Sequence, residues 1–265
     1  MSNKMINTIT QGDCLEVMER IPDGTVDLTV TSPPYDNLRT YNGFEWDFKG
    51  IAKELYRVTK EGGVVVWVVG DATVNGSESG TSFRQALYFK EVGFNLHDTM
   101  IYEKAQTPFG SNLCYLQAFE YMFILSKGKP KAINFIRDRE NKRYGVESMG
   151  AGGLSVDGKK AKRVRKPMAK FGKRKNIWTY GVGGGKTGHP AVFPEKLAED
   201  HIVSWSNPGD IILDPFIGSG TTAKMAVLND RRYIGVDVSE EYVEIARRRV
   251  DEALAFKNEK ETDNI

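Results

Sequence analysis

The sequence predicts an α/β protein built on a doubly wound, mostly parallel sheet. Three observations carry that prediction. Strand-like runs alternate with runs of helical spacing on either side of a polar, basic stretch. Residues 64–71, VVVWVVGD, are apolar almost without a break, as a strand covered on both faces must be. Residues 212–226, ILDPFIGSGTTAKMA, read as strand, glycine turn and helix.

In chain order, residues 25–32 (TVDLTVTS) form a strand that runs into Pro33, Pro34 and Tyr35. Helical spacing through Ile51, Leu55 and Val58 predicts a helix over 47–63, stopped by Gly62 and Gly63. The 64–71 strand follows, then a helix over 82–92 and strands over 96–103 and 119–127. From 128 to 186 the periodicity dissolves into Gly, Lys and Arg. It returns as a helix over 193–206, a strand over 210–216, a helix over 221–230 and a strand over 231–238. A last helix spans 239–254, with Ser239 as its N-cap. The expected organisation is therefore a first half at 1–127, a basic insertion at 128–186 and a second half of the same domain at 187–255. A frayed polar tail completes the chain at 256–265. No internal repeat is visible.

The 265 residues carry a net charge of only +2, but the charge is segregated. Residues 127–186 hold 18 Lys and Arg against 4 Asp and Glu, and the remainder holds 19 against 31. A basic segment within an acidic body is the footprint of a polyanion partner. No run of 18 apolar residues is present, so no membrane helix is expected. The start, MSNKMINTIT, lacks an apolar signal core, which points to the cytoplasm. Cys14 and Cys114 are the only cysteines and argue against a disulfide framework.

The glycine turn suggests a nucleotide-like ligand. Gly218 and Gly220 let the backbone approach it closely, and the helix behind them offers free N–H groups. Asp237 ends the next strand, where an acidic residue accepts bonds from ribose hydroxyls. On these residues alone the signal is weak, and a nicotinamide oxidoreductase is a fair reading. Asp214 and Phe216 bend the reading elsewhere. A carboxylate at the strand end suits an amino-acid ammonium, and an aromatic ring suits an adenine, which together suggest S-adenosylmethionine.

TSPPY at 31–35 and DPFIGSGTT at 214–222 together resemble the catalytic and cofactor motifs of the amino-methylating DNA methyltransferases. The order, catalytic motif before cofactor motif with a basic insertion between, is similar to the permuted beta group of that family. The likeness covers residues 11–127 and 177–250. It implies a Rossmann-like methyltransferase sheet, S-adenosylmethionine as cofactor and double-stranded DNA as substrate, with no membrane. It leaves a cognate restriction endonuclease and a homodimer open. It also implies cofactor contacts from Asp13, Cys14 and Thr31, and from Phe193 in HPAVFPEKLAED, the segment that closes over the methionine end. Asp214, Phe216, Gly218, Ser219, Gly220, Thr221 and Asp237 complete that set.

The implied chemistry is methyl transfer to an exocyclic amino nitrogen. That nitrogen is a poor nucleophile, because its lone pair is delocalised into the base. The prolines fix the backbone, so that the Pro33 carbonyl and the Ser32 hydroxyl can accept the two amino hydrogens. Pro34 stiffens the turn and Tyr35 offers a face to a base extruded from the duplex. In the family, Asp or Asn before Pro-Pro-Tyr goes with adenine N6 and Ser with cytosine N4. Thr31-Ser32 therefore favours cytosine N4, with adenine N6 as the alternative.

Other motifs carry less. GVGGGKTG at 181–188 resembles a phosphate loop but is one residue short in its glycine spacing. Neither cysteine sits in the Pro-Cys turn of a ring-carbon cytosine methyltransferase. His97, His189 and His201 have no ligand spacing, so no metal site is expected. Within the basic insertion, Arg163, Arg165, Lys166, Lys173 and Arg174 are the candidate DNA contacts.

Overall fold

The structure is a computed structural model and describes residues 4–34, 47–106, 115–149, 165–181 and 193–262. The chain divides into two compact units, one of Met1–Asn134 with Asn176–Ile265 and one of Phe135–Lys175. The first unit begins with β1 (Thr8–Gln11), α1 (Cys14–Met18), β2 (Val26–Thr31), α2 (Phe48–Val58) and β3 (Thr59–Val69). A small hairpin, β4 (Thr73–Val74) and β5 (Ser77–Glu78), leads to α3 (Thr81–Val92), β6 (Asn95–Lys104) and β7 (Phe119–Ser126). The second unit holds β8 (Arg139–Glu140), β9 (Glu147–Met149), β10 (Arg165–Pro167) and β11 (Phe171–Gly172). The first unit resumes with β12 (Ile177–Tyr180), α4 (Glu195–Trp205), β13 (Ile211–Asp214), α5 (Thr221–Leu228), β14 (Arg232–Asp237) and α6 (Glu240–Thr262).

The first unit is built on one eight-stranded sheet in the order β1-β14-β13-β2-β3-β7-β6-β12. Every neighbouring pair is parallel except those of β7, which runs antiparallel to both β3 and β6. The apolar run of β3 is explained by its position. Val64 to Trp67 pairs with Leu28 to Thr31 on one side, and Val64 to Val69 pairs with Ser126 to Tyr121 on the other. Val65, Trp67 and Val69 join a core with Val17 and Met18 of α1, Ile51 and Leu55 of α2 and Phe89 of α3. Val64, Val66 and Val68 are equally buried and alternate to the opposite face, as expected for a sheet covered on both sides.

Several bounds differ from the sequence expectation, each for a local reason. α2 stops at Val58, not 63. The Thr59 hydroxyl donates to the Leu55 carbonyl at 2.6 Å, its N–H donates to the same carbonyl, and the chain turns extended. Gly62 and Gly63 therefore lie inside β3. The insertion expected at 128–186 corresponds to a narrower compact unit, because Ile177–Tyr180 pairs with Ile101–Lys104 of β6. Residues 256–262, expected to fray, continue α6. They contain no Gly or Pro, and Lys257 pairs with Asp230. β1 and α1 escape notice because they are short, with 4 and 5 residues. Ser239 does cap α6, accepting from the Val243 N–H at its carbonyl (3.0 Å) and the Tyr242 N–H at its hydroxyl (3.4 Å). Among the described residues, no helix is long and apolar enough to cross a membrane.

Trp67 anchors the core beneath the carboxyl edge of the sheet. Its indole N–H donates to Gln85 Oε1 at 2.9 Å. Its ring lies edge-on or tilted to Phe89, Phe48 and Phe216 at 5.1, 6.0 and 6.5 Å between centroids. Trp67→Ala is expected to cost about 3–5 kcal/mol, measured by urea unfolding; a loss below about 1 kcal/mol would contradict this packing role.

Candidate active site

β13 lies between β2 and β14 and is parallel to both. The carboxyl ends of the three strands therefore share one edge of the sheet, where open α/β sheets bind ligands. β2 delivers Thr31, Ser32, Pro33 and Pro34 to that edge, β13 delivers Asp214, and β14 delivers Asp237.

Asp214 holds these pieces together. It is 5% exposed, and its Oδ1 accepts from the Thr31 hydroxyl at 2.7 Å and the Phe216 N–H at 3.1 Å. Thr222 of α5 adds a hydroxyl contact and also reaches the Val30 carbonyl at 3.3 Å. Burial pushes the Asp214 carboxyl up to about 6, even though hydrogen bonds from Thr31, Thr222 and Phe216 favour its charged form; the charge of Asp237 adds to the rise. Among the described residues no lysine or arginine forms an ion pair with it. A buried carboxylate in this state suits a cationic ligand group. Thr31, expected beside the cofactor, is fully buried and acts as a donor beneath Asp214.

The glycine turn is fixed from behind. The Ile217 N–H donates to the Val236 carbonyl at 2.8 Å and the Gly218 N–H donates to Asp237 Oδ2 at 3.0 Å. Gly220 has φ +83°, and a Cβ there would lie 2.7 Å from the Ala246 backbone of α6. Only glycine meets both conditions. Asp237 is half-buried and accepts from the Ser239 N–H at Oδ1, 2.9 Å.

Asp13 and Cys14 follow β1, whose Gln11 is in register with Asp237. The exposed Asp13 carboxylate caps α1, accepting from the Leu15 N–H at 2.8 Å and the Glu16 N–H at 3.4 Å. Cys14 is buried. Burial first, then the charges of Asp13 and Asp237, raise its thiol to about 12, so it stays protonated. Ser219 and Thr221 are turned towards α6. Arg249 donates to the Ser219 carbonyl (2.5 Å), the Ser219 hydroxyl (2.9 Å) and the Thr221 hydroxyl (3.3 Å). The same guanidinium reaches Glu195 Oε1 at 2.7 Å, and Lys224 reaches it at 2.6 Å. Burial alone would raise the Glu195 carboxyl, but hydrogen bonds from Lys224 and Arg249 bring it below the ordinary value. Glu195 opens α4 directly after the half-buried Phe193 and Pro194, so this network ties that segment to the glycine turn.

Arg249 and Glu195 were not singled out from sequence. A signal existed for Arg249: it falls on the buried stripe Val243, Ala246, Val250 and Ala253, where a cation requires a partner. Tyr35 and Arg163 lie outside the described residues. Arg165 and Lys166 sit in β10, paired with Met149 and Ser148 of β9. Arg174 is bound to Asp138, and the Lys173 ammonium lies 3.7 Å from the centre of the Phe135 ring. Both of these expected DNA contacts already serve to hold their own unit together.

Comparison with known proteins yields consistent matches. The DNA methylase family profile matches residues 26–248. The orphan methyltransferase M.BamHII of Bacillus amyloliquefaciens is 60% identical over 241 residues, covering 88% of this chain and 91% of that one. The DNA adenine methyltransferase YhdJ of Escherichia coli K12 is 25% identical, covering 95% and 85%. The solved structure of the PvuII DNA methyltransferase, a cytosine-N4-specific enzyme, aligns with a TM-score of 0.68 at 23% identity, covering 91% of this chain and 85% of that one. The likeness to PvuII is one of fold.

The state of Asp214 makes a two-sided prediction. Its carboxyl is raised from 3.8 to about 6 on folding, so the group favours the folded state below pH 4 and loses that contribution as pH rises through 6. At pH 7.5 the buried charge is a cost, on the order of 1–3 kcal/mol. Asp214→Asn keeps an acceptor oxygen for Thr31 and Phe216. It should raise the melting temperature at pH 7.5, with the gain vanishing towards pH 4, while weakening S-adenosylhomocysteine binding at least about tenfold. Calorimetry of both proteins tests this; lower stability with unchanged binding would refute it.

Proposed function

The chain belongs to the DNA methylase family, whose methyl donor is S-adenosylmethionine, and from that premise we propose that it methylates the exocyclic N4 of cytosine at a specific site in duplex DNA. The observation that carries the proposal is the Thr31–Asp214 hydrogen bond of 2.7 Å. It joins the strand that leads into the Ser32-Pro33-Pro34 turn to the carboxylate that ends β13, which supports placing the two motifs in one site. Membership of the family leaves no role for the nicotinamide alternative.

The residues fit the cofactor. Asp214 would hold the ammonium of its methionine part, since a buried carboxylate with no ion pair among the described residues is stabilised by that charge. Asp237 would accept from the ribose hydroxyls, and Phe216 would pack on the adenine. Asp13, seen as a helix cap, and Cys14 would line the same side. When bound, the cofactor supplies an electrophilic methyl group that needs no further activation. The work of the chain is then alignment and hydrogen bonding. The Ser32 hydroxyl and the Pro33 carbonyl would accept the two amino hydrogens of an extruded base, drawing its nitrogen lone pair out of the ring plane. Tyr35 would stack on that base.

Serine before the prolines favours cytosine over adenine, where family members carry Asp or Asn. Residues 135–175, with 14 Lys and Arg against 4 Asp and Glu, would be the DNA-recognition unit. M.BamHII, at 60% identity, is an orphan methyltransferase, which favours a solitary cytoplasmic enzyme over one paired with an endonuclease.

The purified protein, incubated with S-adenosylmethionine and unmethylated genomic DNA, should yield N4-methylcytosine after digestion to nucleosides and mass analysis. N6-methyladenine instead would overturn the cytosine assignment. Ser32→Ala should lower kcat about 10²–10³-fold with little change in S-adenosylhomocysteine affinity; unchanged kcat would remove Ser32 from the catalytic turn.

A further inference from the structure

The second unit presents a turn that sequence reading passed over. Residues 141–146, NKRYGV, connect β8 to β9. The turn is braced along both arms. The Asn141 N–H donates to the Lys170 carbonyl (2.9 Å) and its side-chain amide to the Ala169 carbonyl (2.7 Å). The Gly145 N–H donates to the Met168 carbonyl (3.0 Å), and the Met168 N–H donates back to the Val146 carbonyl (3.1 Å). Within the turn, Tyr144 N–H bonds the Asn141 carbonyl at 3.1 Å. Gly145 takes φ +76° with no atom within 4 Å of a Cβ built there, so the backbone reversal, not crowding, calls for glycine.

At the tip of this braced turn stand Lys142, Arg143 and Tyr144. Tyr144 is 64% exposed. Arg139, Lys142, Arg143 and Lys175 line a hollow of about 530 Å³ with Glu140, Asn141 and Met168. Of the nearby acids, Asp138 is taken by Arg174, and among the described residues Glu140 is the one carboxylate lining the hollow. A braced backbone that carries an exposed aromatic ring directly after two cations in sequence loses little freedom on binding. The cations suit phosphates, and the ring suits the face of a base.

We infer that the Lys142–Arg143–Tyr144 turn is a DNA contact, with the Tyr144 ring against a base and the two cations on neighbouring phosphates. The inference rests on the reading of residues 135–175 as the DNA-recognition unit, and it shifts the contact from Lys173 and Arg174 to this turn.

The test uses the full-length enzyme with S-adenosylhomocysteine and a fluorescein-labelled duplex containing its mapped methylation site, read by anisotropy across salt concentrations. Tyr144→Ala should weaken binding about 10–100-fold with the salt slope unchanged, and Tyr144→Phe should stay within about threefold of the parent. A Lys142→Ala, Arg143→Ala double variant should lower the slope of log K against log salt by about 1–2. S-adenosylhomocysteine affinity should hold in all variants. If the parent binds the duplex with a steep salt dependence, but Tyr144→Ala and the double variant both match it within about twofold, the turn is not a contact although the unit still meets DNA. If the parent shows no salt-dependent duplex binding, both the turn and the underlying reading are overturned.

Discussion

The Thr31–Asp214 hydrogen bond is the contact on which the rest of the edge depends. Its partners are 183 residues apart in sequence, and they meet because β2 and β13 are neighbours in the sheet. The bond fixes the start of the Ser-Pro-Pro turn relative to the carboxylate and, through Phe216 N–H on the same oxygen, relative to the glycine turn. Both strands are rigid and buried, so the two motifs are held without a loop having to find its place. The cost is a carboxylate kept dry with no cation beside it among the described residues. That is the usual relation between a binding site and fold stability: the groups poised for a ligand are the ones the free protein would do better without.

A second layer of support lies behind the first. Arg249 binds the glycine turn at Ser219 and Thr221 and, through Glu195, the first turn of α4. Gly220 allows α6 to come close enough for this, since any side chain there would meet the Ala246 backbone. Ser219 and Thr221 thus shape the turn by facing away from the crevice. Thr31 likewise works from beneath. Several residues that the motifs mark for the cofactor instead hold the backbone of the turns they belong to.

How much of this was legible in the sequence follows from burial. The strand 64–69 and the strand–turn–helix at 211–228 are strongly patterned because both faces of the sheet are covered, and they fixed the fold class. β12 was hidden because IWTY is short and flanked by Lys and Gly-rich sequence; only its pairing with β6 makes it a strand. The end of α2 was misplaced because Gly-Gly is a strong stop signal, whereas the actual stop is a threonine turning back on Leu55. Charge was least legible. Counting Lys and Arg located a basic unit but could not separate Arg174, bound to Asp138, from Arg143 at the tip of a braced turn. Partner choice among surface charges is a matter of three-dimensional neighbours, which no spacing encodes.

The strand order also bears on how the molecule is made. β1 (Thr8–Gln11) is hydrogen-bonded in the sheet to β14 (Arg232–Asp237), the last strand in sequence order among the described residues. On the ribosome, β2, β3, β6 and β7 emerge early and can assemble, but β13 and β14 arrive last and must enter between β1 and β2. Such long-range pairing is slow to form. The edge shared by β2, β13 and β14 therefore comes into being only after the last two of these strands have emerged. A chain that stops short of β13 has its Ser-Pro-Pro turn without the Asp214 carboxylate that Thr31 binds or the Asp237 that holds the glycine turn.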